Sequence, residues 1–372
     1  MYKLIATAAF GLESIVKREV EALGYKKLLC MDSKVEYETD DLYRAIVKSN
    51  LWLRSADRVL LKMGSFTVTT FDELFEATKA LPWDEWIPEN GKFTVTAKSV
   101  KSNLYSVPDI QKIVKKAVVE KLKQKHNVTW FSENGPEYTI QAALLKDVAT
   151  LTIDTTGQGQ GLHKRGYREK ATEAPMKETM AAALISIARY SGRDAFLDPC
   201  CGSGTLPIEA AMIAKNIAPG LNRSFASEKW RQIDKSIWKD ERRSAYSEIK
   251  TDLDPIITGA DIDPNAIALA KVNAELAGVD DCIEFICRHV ADTVLKEDRG
   301  TAIINPPYGE RLGEIKVAER FYGELGKVFN HTKWRVYVIT PDEFFESAYK
   351  KTARAKRKLF NGMIKTDYYQ YF

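Results

Sequence analysis

Nowhere in this chain do apolar residues run for the ~20 positions that a membrane-spanning helix requires, so no membrane partner is expected. Residues 1–10 lack the basic start and the cleavage site of a secretory leader, which makes the cytoplasm the expected location. Cysteine is sparse and odd in number. Cys30, Cys200, Cys201, Cys282 and Cys287 include no Cys-x-x-Cys pair, which argues against a disulfide framework and against a cysteine zinc site. The four histidines, His126, His163, His289 and His331, show no metal-ligand spacing, so no metal is expected. Net charge is small, 55 − 51 = +4, and a polyanionic partner has to be sought in local patches rather than in the overall balance. There is no internal repeat and no low-complexity tract.

What the chain does have is length for two domains, at 372 residues, and one unusual glycine turn. The short apolar run Ala195-Phe196-Leu197 leads into Asp198-Pro199-Cys200-Cys201-Gly202-Ser203-Gly204-Thr205, and a helix-like run follows from Leu206. A strand, a glycine turn and a helix start make a nucleotide-cofactor loop. The glycines let the backbone approach a ligand, and the free N–H groups at the helix start favour an electronegative group. The spacing is not Gly-x-Gly-x-x-Gly and no Gly-Lys-Ser/Thr follows, which argues against a dinucleotide oxidoreductase and against an ATP or GTP loop. A second apolar run ends in Asp261-Ile262-Asp263-Pro264. Asp261 is placed to accept hydrogen bonds from ribose hydroxyls, and Asp263 to cap the next helix. The distance between loop and acid exceeds the usual spacing, so residues 216–254, with Trp230 and Trp238, read as an insertion. A third run, residues 283–287, leads to Asp292, and a fourth, residues 301–304, leads into Asn305-Pro306-Pro307-Tyr308.

That tetrapeptide suits alkylation of an exocyclic amine. Such a nitrogen is a poor nucleophile because its lone pair is delocalised into the ring. The Asn305 side-chain oxygen and the Pro306 carbonyl can accept its two N–H hydrogens and aim the lone pair at an electrophile. The prolines stiffen the turn, and Tyr308 offers a flat face for stacking.

On these motifs the region from residue 162 onward resembles class I methyltransferases that use S-adenosylmethionine, within the group acting on exocyclic or amide nitrogens. The resemblance implies a cofactor site at Asp198, Cys200, Gly202, Gly204, Thr205, Asp261, Ile262, Asp292 and Asn305. It implies a catalytic turn at Asn305, Pro306 and Tyr308. Leu162-His163-Lys164-Arg165-Gly166-Tyr167-Arg168, Glu173-Ala174-Pro175, residues 224–230 and residues 305–313 are further similar to bacterial THUMP-containing RNA guanine-N2 methyltransferases, the enzyme halves of fused large-subunit enzymes among them. The implied partner is RNA, with 23S ribosomal RNA favoured over transfer RNA. Other acceptors open to the same tetrapeptide are adenine N6 and a glutamine amide, and a catalytically silent RNA-binding factor is a further alternative. The implied fold is an α/β Rossmann-like class I methyltransferase domain, residues 161–372, preceded by an α+β ferredoxin-like and THUMP region, residues 1–160, with THUMP at about 44–155.

Before residue 160, periodicity predicts strands at 1–8, 35–39, 60–68, 92–98, 138–143 and 148–154, and helices at 12–22, 42–53, 72–80 and 109–125. In the last helix Ile110, Val114, Ala117, Val118 and Leu122 form an apolar stripe, and Lys112, Lys115 and Lys116 belong to a lysine-rich remainder, with Glu120 the only acid between residues 110 and 126, suited to phosphate contact. His163, Arg165 and Arg168 are further candidates for RNA phosphates. Gly157, Gly159 and Gly161 mark a flexible joint or a turn, and Asn361-Gly362 marks a hairpin.

Overall fold

The computed structural model describes residues 1–127, 130–168, 176–252, 254–307, 312–362 and 364–372. Tyr308 and the Glu173-Ala174-Pro175 motif lie outside the described residues. The described strands form two sheets of seven.

The N-terminal sheet holds β1 (Tyr2–Ala8), β2 (Lys26–Met31), β3 (Lys34–Thr39), β4 (Ala56–Thr67), β5 (Lys92–Val100), β6 (Glu137–Leu145) and β7 (Val148–Asp154), in the order β2-β3-β1-β4-β7-β6-β5. Its helices are α1 (Glu13–Ala22), α2 (Leu42–Trp52), α3 (Phe71–Lys79), α4 (Trp83–Trp86) and α5 (Val107–His126). The twelve-residue β4 makes this one sheet rather than two: its first half pairs with β1 (Leu4↔Leu61) and the rest with β7 (Leu60↔Asp154 to Thr67↔Val148). Helix starts follow local chemistry. Thr70 and Glu73 form a reciprocal capping box on α3, and the Asp41 carboxylate caps α2. On α5 the predicted apolar stripe is buried, and Asn127 ends the helix in the left-handed region. The sequence reading missed β2. It is an edge strand whose Leu29 and Cys30 are exposed, so it carries no clean alternation of buried and exposed residues.

The second sheet holds β8 (Ala195–Asp198), β9 (Ile257–Asp261), β10 (Ile283–Cys287), β11 (Gly300–Ile304), β12 (Arg335–Thr340), β13 (Ala355–Asn361) and β14 (Ile364–Tyr371), in the order β10-β9-β8-β11-β12-β14-β13. The first five strands in that order are parallel, and β14 and β13 close the sheet antiparallel. The strand order reverses between β8 and β11, and open α/β sheets hold ligands beyond the strand ends at such a point. The helices of this half are α6 (Glu178–Ile187), α7 (Thr205–Ala214), α8 (Lys235–Ser247), α9 (Pro264–Ala277), α10 (Leu312–Phe329) and α11 (Phe345–Tyr349), of which α8 packs against α2. The hairpin expected at Asn361-Gly362 is present, with Gly362 at φ 65°.

The insertion fastens the two sheets together. The Trp230 ring stacks on Tyr138 of β6 at 4.9 Å, and its Nε1–H donates to the Glu137 carbonyl. Arg44 of α2 pairs with Glu241 of α8 at 3.0 Å. Of the two readings of the glycine-rich joint, the structure has the pinned turn: Arg223 donates to the carbonyls of Gln160, Gly161 and Lys164, and Arg58 donates to that of Gly157.

Candidate active site

Three strand ends meet at one edge of the second sheet. β8 ends in Asp198, buried, whose carboxylate accepts from the Cys200 N–H at 3.1 Å. Burial, together with the Asp261 charge, raises its pKa to about 8. The loop then turns through Gly202 and Gly204 at φ 52° and 83°. A Cβ on Gly204 would come within 3.0 Å of the Ala270 Cβ and 3.2 Å of the Phe285 ring, so the loop lies flat on α9 and β10 only because glycine stands there. From β9, Asp261 accepts from the Gly202 N–H at 2.9 Å with one oxygen and from the Asp263 N–H at 3.0 Å with the other. A carboxylate has further lone pairs, so accepting capacity remains for hydroxyl groups. Asp263 caps α9 through the Asn265 N–H, the role expected for it.

From β11, Asn305 is half-buried, Pro306 buried and Pro307 exposed. The Cys200 thiol donates to the Asn305 carbonyl at 3.4 Å, which ties the glycine loop to the turn that follows β11. Burial, reinforced by Asp198, pushes the thiols of Cys200 and Cys201 well above their usual pKa. Both therefore act as small neutral side chains, in line with a packing role rather than redox chemistry.

The remaining predicted positions are placed as follows. Ile262 is 66% exposed beside Asp261, an apolar surface at the cofactor edge, and Asp292 is exposed at the end of a 3-10 turn beyond β10. Thr205 begins α7 and its hydroxyl accepts from Arg168 at 2.5 Å. Lys112, Lys115 and Lys116 are exposed on α5.

The three candidates near the joint need correction. Arg165, expected to meet RNA phosphates, is buried: it pairs with Glu209 at 3.2 Å and donates to the carbonyls of Leu162 and Arg54. Its charge is spent between the two sheets and is not presented to solvent. The Arg168 guanidinium is likewise turned inward, onto the Met176 carbonyl and Thr205, with its Nε facing the Glu178 carboxylate at 3.5 Å without a well-formed hydrogen bond. For His163, burial and the surrounding Lys177, Lys164 and Arg165 lower the pKa to about 4, so the ring is neutral at pH 7 and offers no cation to a phosphate.

Sequence reading also missed Asn273. Buried on α9, it donates from Nδ2 to the Ser203 carbonyl at 2.9 Å and so braces the glycine loop. The signal was an amide lying on the stripe formed by Ala266, Ala270, Ala274 and Ala277.

The glycine loop, the Asp261 carboxylate with spare accepting capacity and the exposed Ile262 beside it form a lining that fits S-adenosylmethionine. With an Asn-Pro turn at the neighbouring strand end, fold and site define a class I S-adenosylmethionine-dependent methyltransferase. Models of three families match in chain order: the RlmL ferredoxin-like domain at residues 3–60, the THUMP domain at 68–154 and the RMKL-like methyltransferase domain at 165–370. YpsC of Bacillus subtilis (strain 168), assigned by its name to the RNA methyltransferases, is 50% identical over 100% of this chain and 96% of its own. A Listeria monocytogenes crystal structure, described as a predicted N6-adenine-specific DNA methylase, matches at TM-score 0.94 with 48% identity, covering 100% of this chain and 96% of that one. The crystal structure of SMU.472, complexed with S-adenosylhomocysteine, matches at TM-score 0.93 with 42% identity over 100% and 98% of the two chains. The chain belongs to the THUMP-bearing, RMKL-like family of S-adenosylmethionine-dependent RNA methyltransferases.

Proposed function

We propose that this protein methylates the exocyclic N2 amine of a guanosine in 23S ribosomal RNA. The observation that carries the reading is the placement of Asn305 and Pro306 at the end of β11, tied through the Cys200 thiol to the glycine loop. When bound there, S-adenosylmethionine supplies an electrophilic methyl group on a sulfonium.

The Asn305 amide oxygen and the Pro306 carbonyl accept the two amine hydrogens. This holds the nitrogen in place and lets its lone pair rehybridise away from the ring. Pro306, without an N–H, adds no competing donor at that point. A base within a helix cannot present this amine to an enclosed site, so the guanosine enters unstacked, and the role kept for Tyr308 is to stack on it. Glycine-loop residues 198–205, Asp261, Ile262 and Asp292 take the cofactor. The division of labour follows the chain: residues 1–160 bind RNA, with Lys112, Lys115 and Lys116 of α5 toward phosphates, and residues 161–372 carry the chemistry. Support for RNA comes from the THUMP match and the exposed lysines. Support for guanine N2 comes from the resemblance at residues 162–168, 224–230 and 305–313.

A second reading, the same turn acting on adenine N6, is favoured by the description given to the Listeria relative. The test is incubation of the purified chain with methyl-labelled S-adenosylmethionine and unmodified 23S ribosomal RNA, with transfer RNA and DNA in parallel, then digestion and mass spectrometry. N2-methylguanosine in ribosomal RNA alone supports the proposal. N6-methyladenosine moves the acceptor, and label in transfer RNA moves the substrate.

A further inference from the structure

A cleft of about 500 Å³ opens between the N-terminal sheet and the catalytic sheet, lined among others by Phe10, Ser33, Asp57, Lys177, Thr179 and Phe360. None of these belongs to the proposed cofactor site or catalytic turn, yet the cleft lies on the catalytic edge. Because β14 runs antiparallel to β12, the β13–β14 turn at Gly362 sits at the edge where β12 ends and where the turn after β11 also lies. From the other side, one guanidinium spans the distance to the cofactor loop: Arg168 donates both to the Met176 carbonyl, next to Lys177, and to Thr205, the first residue of α7.

Phe10 is the informative residue. It is 54% exposed, although it sits on a loop held in place. Gly11 follows it at φ 88°, so close to β13 that a Cβ would lie 3.0 Å from the Lys358 carbonyl, and the Gly11 carbonyl accepts from Arg357 at 2.5 Å. The Phe10 ring meets Phe360 edge-on, with centroids 5.8 Å apart and planes at 79°. A ring held on one edge by Phe360 and left largely in water has a face available for a flat partner. Lys177 is exposed and suits a phosphate, and Ser33 brings a hydroxyl; the Asp57 carboxylate, which disfavours an anion in its part of the cleft, accepts from the Thr179 hydroxyl at 3.3 Å. The volume lies within the range of ligand clefts.

We infer that this cleft holds an unpaired nucleotide of the substrate RNA next to the methylated one, its base against Phe10 and its phosphate toward Lys177. The inference rests on the reading of the substrate as RNA. Stacking on one ring tolerates any base, so the cleft contributes to affinity and to keeping the strand open beside the target rather than to sequence choice.

The test uses the full chain with saturating S-adenosylmethionine and whichever RNA the wild type labels. For Phe10→Ala the expected result is a KM for RNA raised about tenfold, in line with the loss of one stacked base. A smaller rise is expected for Lys177→Gln, whose KM also becomes less sensitive to salt. In both, kcat and the S-adenosylmethionine dissociation constant stay at wild-type values, and Phe10→Trp retains the wild-type KM. An unchanged KM in Phe10→Ala beside an active wild type overturns the cleft assignment alone, as does loss of cofactor binding in that variant, which would make Phe10 a packing residue. A wild type that labels no RNA overturns the substrate reading and this inference with it.

Discussion

The two sheets of this protein have seven strands each and treat their polar residues in opposite ways. In the catalytic sheet five strands run parallel, so their C-terminal ends share one edge, and Asp198, Asp261 and Asn305 accumulate there within a few hydrogen bonds of one another. In the N-terminal sheet every pairing except β5 with β6 is antiparallel, so strand ends alternate between the two edges and neither collects them. A row of exposed lysines lies along a helix instead, on α5. Parallel topology concentrates groups at a point, which suits an electrophile meeting one acceptor atom. An antiparallel sheet with helices offers a face, which suits a polyanion.

Removing the point should cost most. Asn305→Ala is expected to lower kcat by at least about 10²–10³-fold, the range for a lost transition-state hydrogen bond, with cofactor affinity preserved in calorimetric titration. Loss of cofactor binding in that variant would show that the catalytic turn and the cofactor loop are not separable. Next in size is the junction between the regions. Glu209→Ala leaves Arg165 buried without its partner and should destabilise the protein by about 3–5 kcal/mol in urea unfolding. Normal stability with weakened RNA binding would instead return Arg165 to the RNA surface.

The third test titrates the catalytic edge. Burial raises the Asp198 pKa to about 8, so without ligand the group keeps its proton below that pH. A cationic sulfonium favours the carboxylate, and binding therefore strengthens as pH rises and levels off above about 8. Affinity for S-adenosylmethionine should be about tenfold weaker at pH 7 than at pH 9, and Asp198→Asn should flatten the profile. The smallest effect belongs to the face. Replacing Lys112, Lys115 and Lys116 together with Gln should raise the KM for RNA about fivefold and reduce the dependence on log salt by about 2–3, leaving kcat unchanged. A fall in kcat instead would mean that the helix positions the target and does not simply hold the strand.

Legibility in the sequence followed how local each cause was. The glycine loop, the Asp263 cap, the α5 stripe and the Asn-Gly hairpin are each specified within a few residues, and each is present as read. β2 was missed because an edge strand with exposed Leu29 and Cys30 gives no alternation to find. The misplaced residues are all charged or titratable groups near the joint. Arg165 and Arg168 look like phosphate ligands in a basic stretch, since nothing local tells that Glu209, 44 residues on, and Thr205 lie against them.

By itself, then, the sequence determined the class of protein: a cofactor loop needs glycines in series, and these are neighbours in the chain, as are Asn305 and Pro306 in the turn after β11. Tertiary structure alone decided which charges are spent and which are offered. A side chain's hydration and ion partner depend on what packs over it, and here Glu209 against Arg165, Thr205 against Arg168 and Glu137 against Trp230 lie 44, 37 and 93 residues away along the chain. That packing joined the two sheets through the insertion, neutralised His163 and opened the cleft beside Phe10.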